Sequence, residues 1–466
     1  SVMADALRRV KAAPVRRFVR RAVVPTVMSI APEVTAAELD DDGAGVAVVD
    51  GVTVHVAGLA PGERATVRTT HASPHRAERW ATVVERRGPP SPDRVTPACP
   101  AFGRCGGCPW QHLAYPAQLG WKRRRVVAAV GELAEVAAVV RSPAELGYRH
   151  KGKYVAGRTV GHLALGAWAP RSHDFVDTAG CRAVTPTIDR VRGAIVAAAA
   201  DHRLAPADER RGTGDLRYAI VRQGDGGQVL VGLVVRSAAD AGRVAAAAAA
   251  IAAAPAVAGV VRLDNDRTDG ALLDGAARPL VGAASLSLTL AGVAVDLGAT
   301  EFAQINPAQA EAMYRHVAAL AEVGPGDRAA DVYAGLGGIA FALAASGAEV
   351  LAIERDPAAV AALTAAAHRA GRSDVTALAG DAERLADHPD VAAVVIDPPR
   401  KGASPALLAA ISASRARTLI YVSCGPDALG RDLRALVAAG WRLDQVTPFD
   451  LMPGTAQVET VVRLRR

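Results

Sequence analysis

Aromatic residues are scarce: Phe, Tyr and Trp make up 4% of the 466 residues, although half of the chain is hydrophobic. The core is therefore expected to be mostly Ala, Val and Leu. Long apolar runs are missing, and no stretch approaches the about 20 residues that a membrane helix needs. A glycine-rich loop ending in Gly-Lys-Ser/Thr is missing too, which removes the P-loop enzymes. Cysteine is limited to five, an odd number. They are unevenly placed, which argues against a secreted disulfide framework and for a metal site plus one separate thiol. These absences point to a cytoplasmic protein, read as a monomer with no membrane partner.

Acidic charge is missing from one place above all, the N-terminal stretch. Residues 1–30 hold Arg8, Arg9, Lys11, Arg16, Arg17, Arg20 and Arg21 against the single acid Asp5, and so account for six of the seven net positive charges. The basic balance thus belongs to a tail, expected to be disordered over 1–34, rather than to the fold. The tail reads as a dispensable extension, with Met28 a natural start, or as a nucleic-acid arm.

Beyond it, 35–88 reads as a small OB-like β-barrel. Gly45–Val49 and Val52–Val56 are strands joined by Asp50-Gly51, a two-residue hairpin signal. Short strands of this kind suit an RNA-binding platform and a purely structural barrel about equally. Pro89-Pro90-Ser91-Pro92 is a stiff linker. Next comes Cys99-Pro-Ala-Phe-Gly-Arg-Cys105-Gly-Gly-Cys108, a C-x5-C-x2-C loop whose glycines let the backbone wrap a metal centre. Cys181 is the fourth cysteine nearest in sequence. Four thiolates suit zinc or an iron–sulfur cluster. Zinc ribbons usually bring two C-x2-C pairs, and the single pair here leans towards iron–sulfur. Tyr115–Val130 has helical periodicity and carries the basic run Lys122-Arg-Arg-Arg125, read as a solvated face or an RNA phosphate contact. Tyr148-Arg-His-Lys-Gly-Lys153 reads as an RNA surface or an exposed strand.

From 296 to 466 strands and helices alternate. Asp327–Val332 is a strand followed by Tyr333-Ala-Gly335-Leu-Gly337-Gly338, a turn that lets backbone approach a ligand. The next strand ends in Glu354, near the spacing at which a carboxylate meets ribose hydroxyls in nucleotide-binding α/β folds. Later strands end at Gly380-Asp381, at Asp397-Pro-Pro-Arg400, and at Ser423-Cys424-Gly-Pro426. Polar residues on one rim, without a Walker loop, suit S-adenosylmethionine better than NAD or ATP. Cys424 sits where open α/β sheets bind ligands, and its thiolate can act as a nucleophile there. Standing alone it would read as a buried strand-end cysteine.

Together these residues resemble the RNA (uracil-5-)-methyltransferase family, in its iron–sulfur branch with an N-terminal TRAM domain. The likeness runs from about 35 to 466. It includes the Cys99…Cys108…Gln111-His112 loop, Ser172-His173…Cys181, Phe302-Ala-Gln304-Ile-Asn306, Asp331-Val-Tyr333-Ala-Gly335, Glu354, Asp397-Pro-Pro-Arg-Lys-Gly402, Ser423-Cys424 and Gln457-Val-Glu459. It implies an α/β architecture: a Rossmann-like class I methyltransferase domain over 296–466, preceded by the OB-like TRAM barrel and a mixed central RNA-binding domain, 89–295, carrying the metal loop. The helix near 115–133 is expected to pack on the catalytic domain. The resemblance further implies S-adenosylmethionine contacts from Gln304, Tyr333, Gly335, Glu354, Asp381 and Asp397. It implies Cys424 as nucleophile, Glu459 as base, and Cys99, Cys105, Cys108 and Cys181 as ligands of a structural 4Fe-4S cluster. Departures are Ala334 where Cys is frequent, Gly338 for a polar residue, Gly425 for Asn and Gln457 for His.

The chemistry needs such a pair. C5 of uracil is too weak a carbon nucleophile to take a methyl unaided; a thiolate adding to C6 turns it into an enolate. A base must then remove the C5 proton so that the cysteine can leave. Arg400-Lys401 after Asp397-Pro-Pro suits phosphate rather than the stacked aromatic of amine methyltransferases, and the Pro-Cys motif of cytosine-5 enzymes is absent. The expected substrate is RNA, with large-subunit ribosomal RNA preferred over transfer RNA. The competing reading is a non-catalytic RNA-binding protein that keeps the fold. A radical S-adenosylmethionine enzyme wants C-x3-C-x2-C, which is absent.

Overall fold

Asp50 and Gly51 both take positive φ, 49° and 77°, the geometry of a tight hairpin turn. They join Gly45–Val49 to Val52–Ala57 in an antiparallel ladder. The computed structural model describes residues 30–159, 161–209, 211–267 and 276–466. The basic tail of the sequence reading therefore lies, over 1–29, outside the described residues. Its last residues, assigned to the tail, instead belong to a strand, Ile30–Thr35, paired with Arg64–Ala72. That strand is one edge of a six-stranded sheet whose other edge is Glu38–Leu39. Only Ala36 and Ala37 separate the two edges in sequence, so the sheet curls until its edges meet. Val34, Ala47, Val54, Val56, Leu59, Ala65, Val67 and Ala81 fill its interior.

The central unit is a seven-stranded sheet running from Arg278–Gly282 at one edge to Phe175–Asp177 at the other. All neighbours pair antiparallel except Val229–Val235 and Val257–Asp264, which are parallel. A parallel pair needs a crossover, and the Ala-rich helix Ala241–Ala252 supplies it. With the helix Pro186–Asp201 it buries Ile188, Ile195, Val244 and Ile251 against the sheet.

The third unit is a second seven-stranded sheet. From one edge to the other its strands are Val375–Ala379, Glu349–Glu354, Arg328–Val332, Ala393–Ile396, Thr418–Ser423, Glu459–Arg465 and Arg442–Phe449. The first five are parallel, and Glu459–Arg465 runs antiparallel to both of its neighbours. Both faces are covered, as near-continuous apolar strands require. One face packs on the helices Pro307–Ala321, Gly338–Ala344 and Pro357–Arg369, the other on Pro405–Ala413 and Pro426–Ala438.

One further boundary differs from expectation. The hairpin Leu286–Leu290/Val293–Leu297, assigned to the central domain up to 295, packs Leu288, Leu290, Val293, Val295 and Leu297 with Met313, Val317 and Ile339 of the third unit. Only Leu286, at its start, turns to the central unit, packing with Tyr218, Ile220, Leu230 and Leu263. The helix Tyr115–Val130 sends Val126 and Val130 into the core around Leu429 and Leu433, the packing on the catalytic unit that was expected of it. Gly430 backs onto this helix so closely that a Cβ there would lie 2.3 Å from the Ala129 carbonyl oxygen. Lys122, fully buried, donates to Asp450 at 2.5 Å and to the Met452 carbonyl at 3.0 Å.

Candidate active site

Ser423 is the last residue of its strand, and it pairs with Thr460. The ladder ends there, and Cys424, the next residue, lies close enough to Glu459, the first residue of the returning strand, for that carboxylate's charge to act on its thiol. A thiol and a carboxylate 35 positions apart thus meet at the carboxyl rim. Asp397 ends the neighbouring strand Ala393–Ile396 and completes the group.

The electrostatics follow from burial. Cys424 is pushed up to about 11, first by burial, then by the negative charges of Glu459 and Asp397, with Arg400 opposing. Glu459 is pushed up to about 8 by burial and by Asp397, again against Arg400. Asp397 rises to about 7 through burial. Beneath them Asp331 is wholly buried with neither carboxylate oxygen hydrogen-bonded, and burial and Asp397 raise it to about 8. Like charges in a dry pocket cannot all ionise, so the group holds protons at neutral pH.

Two cavities flank these acids. One of about 60 Å³ is lined by Gln304, Tyr314, Tyr333, Gly335 and Asp397. A larger one of about 920 Å³ reaches Tyr333, Glu354, Asp381, Glu383 and Ser404. Tyr333, Gly335 and Gly337 all have positive φ, which bends the turn around the hollow. Glu354 accepts hydrogen bonds from the backbone of Gly335 at 2.9 Å and of Asp356 at 2.7 Å. A carboxylate has about four acceptor sites, so it keeps capacity for a ligand's hydroxyls. The acidic, partly apolar rim fits S-adenosylmethionine. A third cavity, about 180 Å³, opens on Cys424 and is lined also by Arg125, Arg400 and Gln457.

The departures from the family pattern have local causes. A Cβ on Gly338 would lie 2.6 Å from the Tyr314 ring, and one on Gly425 would lie 2.9 Å from the Arg400 carbonyl oxygen. Tyr314 thus takes the room of a side chain at 338, and Arg400 that of one at 425. Gln457 accepts from Arg400 at 3.5 Å. The sequence reading missed Tyr314; its one signal was a rare aromatic on the helix that Asn306 caps.

Cys99, Cys105, Cys108 and Cys181 are brought together around one cavity of about 240 Å³. All are free thiols. Among the described residues, no three Cys, His, Asp or Glu side chains are placed to hold a single metal ion. Arg149 donates to Cys108 Sγ at 3.5 Å and to the Gly107 carbonyl at 3.0 Å. Tyr148 is buried and donates to the Pro453 carbonyl at 2.9 Å. This end of the 148–153 run is therefore inter-unit packing, not an exposed strand.

A Rossmann-like sheet with a returning antiparallel strand and acid-lined hollows at its carboxyl rim defines an S-adenosylmethionine-dependent methyltransferase. The family model described as tRNA (Uracil-5-)-methyltransferase matches residues 382–466. An uncharacterized RNA methyltransferase of Halalkalibacterium halodurans is 30% identical over 445 residues, covering 93% of this chain and 96% of that protein. Another, of Gloeobacter violaceus, is 33% identical over 435 residues, covering 91% and 94%. The fold matches the crystal structure of Pyrococcus abyssi tRNA (uracil-54, C5)-methyltransferase in complex with S-adenosyl-L-homocysteine, with TM-score 0.76, 24% identity, and 93% and 99% coverage. The chain belongs to the RNA (uracil-5-)-methyltransferase family.

Proposed function

We propose that the protein methylates C5 of a uridine in RNA, with Cys424 as nucleophile and Glu459 as base. The observation that carries this is the meeting of Cys424 with Glu459 and Asp397 where the paired strands Thr418–Ser423 and Glu459–Arg465 reach the rim. S-adenosylmethionine, held by Gln304, Tyr333, Gly335, Glu354, Asp381 and Asp397, supplies an electrophilic methyl. The Cys424 thiolate bonds to C6, the C5–C6 π pair moves to give an enolate, and its C5 takes that methyl as S-adenosylhomocysteine leaves. Glu459 removes the C5 proton; the pair left behind re-forms C5=C6 and expels the Cys424 thiolate. The target base must leave its stack to reach Cys424, which suits a loop or unwound RNA.

The four thiols around one hole suit a 4Fe-4S cluster better than zinc, which draws its ligands to about 2.3 Å from a single point. A cluster there would tie the Cys99–Cys108 loop to the central unit and supply no step of the methyl transfer. We read the protein as a cytoplasmic monomer. The preferred substrate is large-subunit ribosomal RNA, supported by the cysteine set and the barrel; the description of the matching family model favours transfer RNA as the second reading. The test is incubation with labelled S-adenosylmethionine and unmodified total RNA. 5-Methyluridine in ribosomal RNA is the expected result, label confined to transfer RNA favours the second reading, and none in any RNA favours a non-catalytic binder.

A further inference from the structure

Three consecutive acids, Asp40, Asp41 and Asp42, lie on the turn after the barrel strand Glu38–Leu39. Each is paired in a different unit. Asp40 meets His55 of the barrel at 2.7 Å. Asp42 meets Arg171 of the central unit at 3.2 Å. Asp41 meets both terminal nitrogens of Arg125, on the helix that packs on the catalytic unit. The turn itself is seated: Trp110 Nε1 donates to the Asp40 carbonyl at 2.9 Å. Gly43 backs onto the metal loop, where a Cβ would lie 2.2 Å from the Pro109 carbonyl oxygen.

Asp41 and Arg125 also line the cavity at Cys424, with Arg400, Asp427 and Gln457. Two arginines and two aspartates face that hollow. Of the two acids, Asp41 is the one brought in from another unit, and its side chain is 58% exposed against 30% for Arg125. The Arg125 Nε is buried and has no hydrogen-bond partner. Only its outer edge is satisfied, and by a carboxylate. A guanidinium in this geometry is a fork for carboxylate or phosphate alike. RNA whose base reaches Cys424 must bring its phosphodiesters past this mouth.

We infer that Arg125, together with Arg400, forms a phosphodiester subsite beside Cys424, and that Asp41 occupies it in the free protein as an internal stand-in for the RNA phosphate. The inference rests on the reading of Cys424 as the residue that meets RNA uracil. RNA binding exchanges one anion for another, so the Asp41 carboxylate gives up its place on Arg125 as substrate enters, while the turn stays seated. Nucleic acid that lacks a phosphate at this position keeps Asp41 in place and binds without opening the mouth.

The test measures binding of fluorescent polyuridylate to the full chain across a salt series, with 5-methyluridine formation in unmodified total RNA measured in parallel. Arg125→Gln is expected to weaken binding about tenfold and to lower the salt slope by about 1. Asp41→Asn is expected to tighten binding roughly two- to fivefold, the worth of a displaced exposed ion pair. The double variant is expected to behave like Arg125→Gln, and Arg125→Lys to fall between it and the wild type. Asp41→Asn binding as the wild type does, or more weakly, overturns the stand-in role and leaves a plain docking contact. Arg125→Gln with wild-type affinity and slope overturns the subsite. A wild-type chain that forms no 5-methyluridine in total RNA overturns the catalytic reading instead, while the polyuridylate series still decides the subsite.

Discussion

Glu459 must lose a proton to act as a base, yet burial and Asp397 hold it up at about 8. Resolution of the methylated adduct is therefore expected to quicken as pH rises through about 8, and a single-turnover pH series checks this. The stability consequence has the opposite sign. A carboxyl raised from 4.5 to about 8 on folding binds its proton more tightly in the fold, so stability is fully present below the unfolded value and is lost as pH rises through the folded one. Glu459→Gln is expected to flatten that decline, read from thermal unfolding between pH 4.5 and about 8. The same variant still adds Cys424 to C6 and takes the methyl, but cannot eliminate. A methylated RNA joined to the protein should survive a denaturing gel, with turnover down about 10²–10⁴-fold. Cys424→Ala and the double variant should form no adduct. Normal turnover of Glu459→Gln with nothing trapped would make Asp397 the next candidate base. Because Glu459 also holds the Cys424 thiol up after burial does, Glu459→Gln should lower the pH at which Cys424 alkylates.

The basic run of the inserted helix shows what an element does to its residues. Lys122 is buried against Asp450, and Arg123 donates to the Val136 and Ala137 carbonyls. Arg124 lies over the Trp121 ring at 4.5 Å, and Arg125 reaches the Cys424 cavity. Four adjacent cations point around one helix at about 100° per residue and so meet four surroundings. Lys122→Met leaves Asp450 buried without its partner, which costs about 3–5 kcal/mol. Denaturant unfolding should show that loss, and limited proteolysis should cut first near the freed helix; unchanged stability would mean the pair contributes nothing net. Asp450→Asn added to Lys122→Met removes the orphaned charge and should recover part of the loss.

Across the whole molecule, the cysteine loop is wedged against the segment that leads to Glu459. Trp110 N donates to the Gly454 carbonyl at 2.9 Å, and the Gly454 amide donates to Gln118 at 2.8 Å. Protein purified without oxygen should carry iron and acid-labile sulfide, and a colourless protein with one zinc would contradict the cluster. Cys105→Ser should lower the iron content, the unfolding temperature and RNA binding more than it slows methyl transfer once RNA is bound. Equal losses in binding and in transfer would show instead that the loop positions Glu459.

Much of this was legible in local chemistry. The rim strands, the Asp50-Gly51 turn and the helix Tyr115–Val130 follow from residue periods and turn types, which act over a few positions. Spacing pointed to the cysteine loop as a candidate metal site, whereas Cys424 and Glu459 stood out only through the resemblance to the methyltransferase family. What pattern could not supply is which distant residues meet. The placing of Asp41 against Arg125, Lys122 against Asp450, Tyr314 beside Gly338, and the Leu286–Leu297 hairpin on the catalytic core came only with tertiary structure. Periodicity tells each residue which face it occupies within its own element. The choice of neighbour is made by packing between elements, where burial and charge over a few ångströms decide, and separation along the chain plays no part.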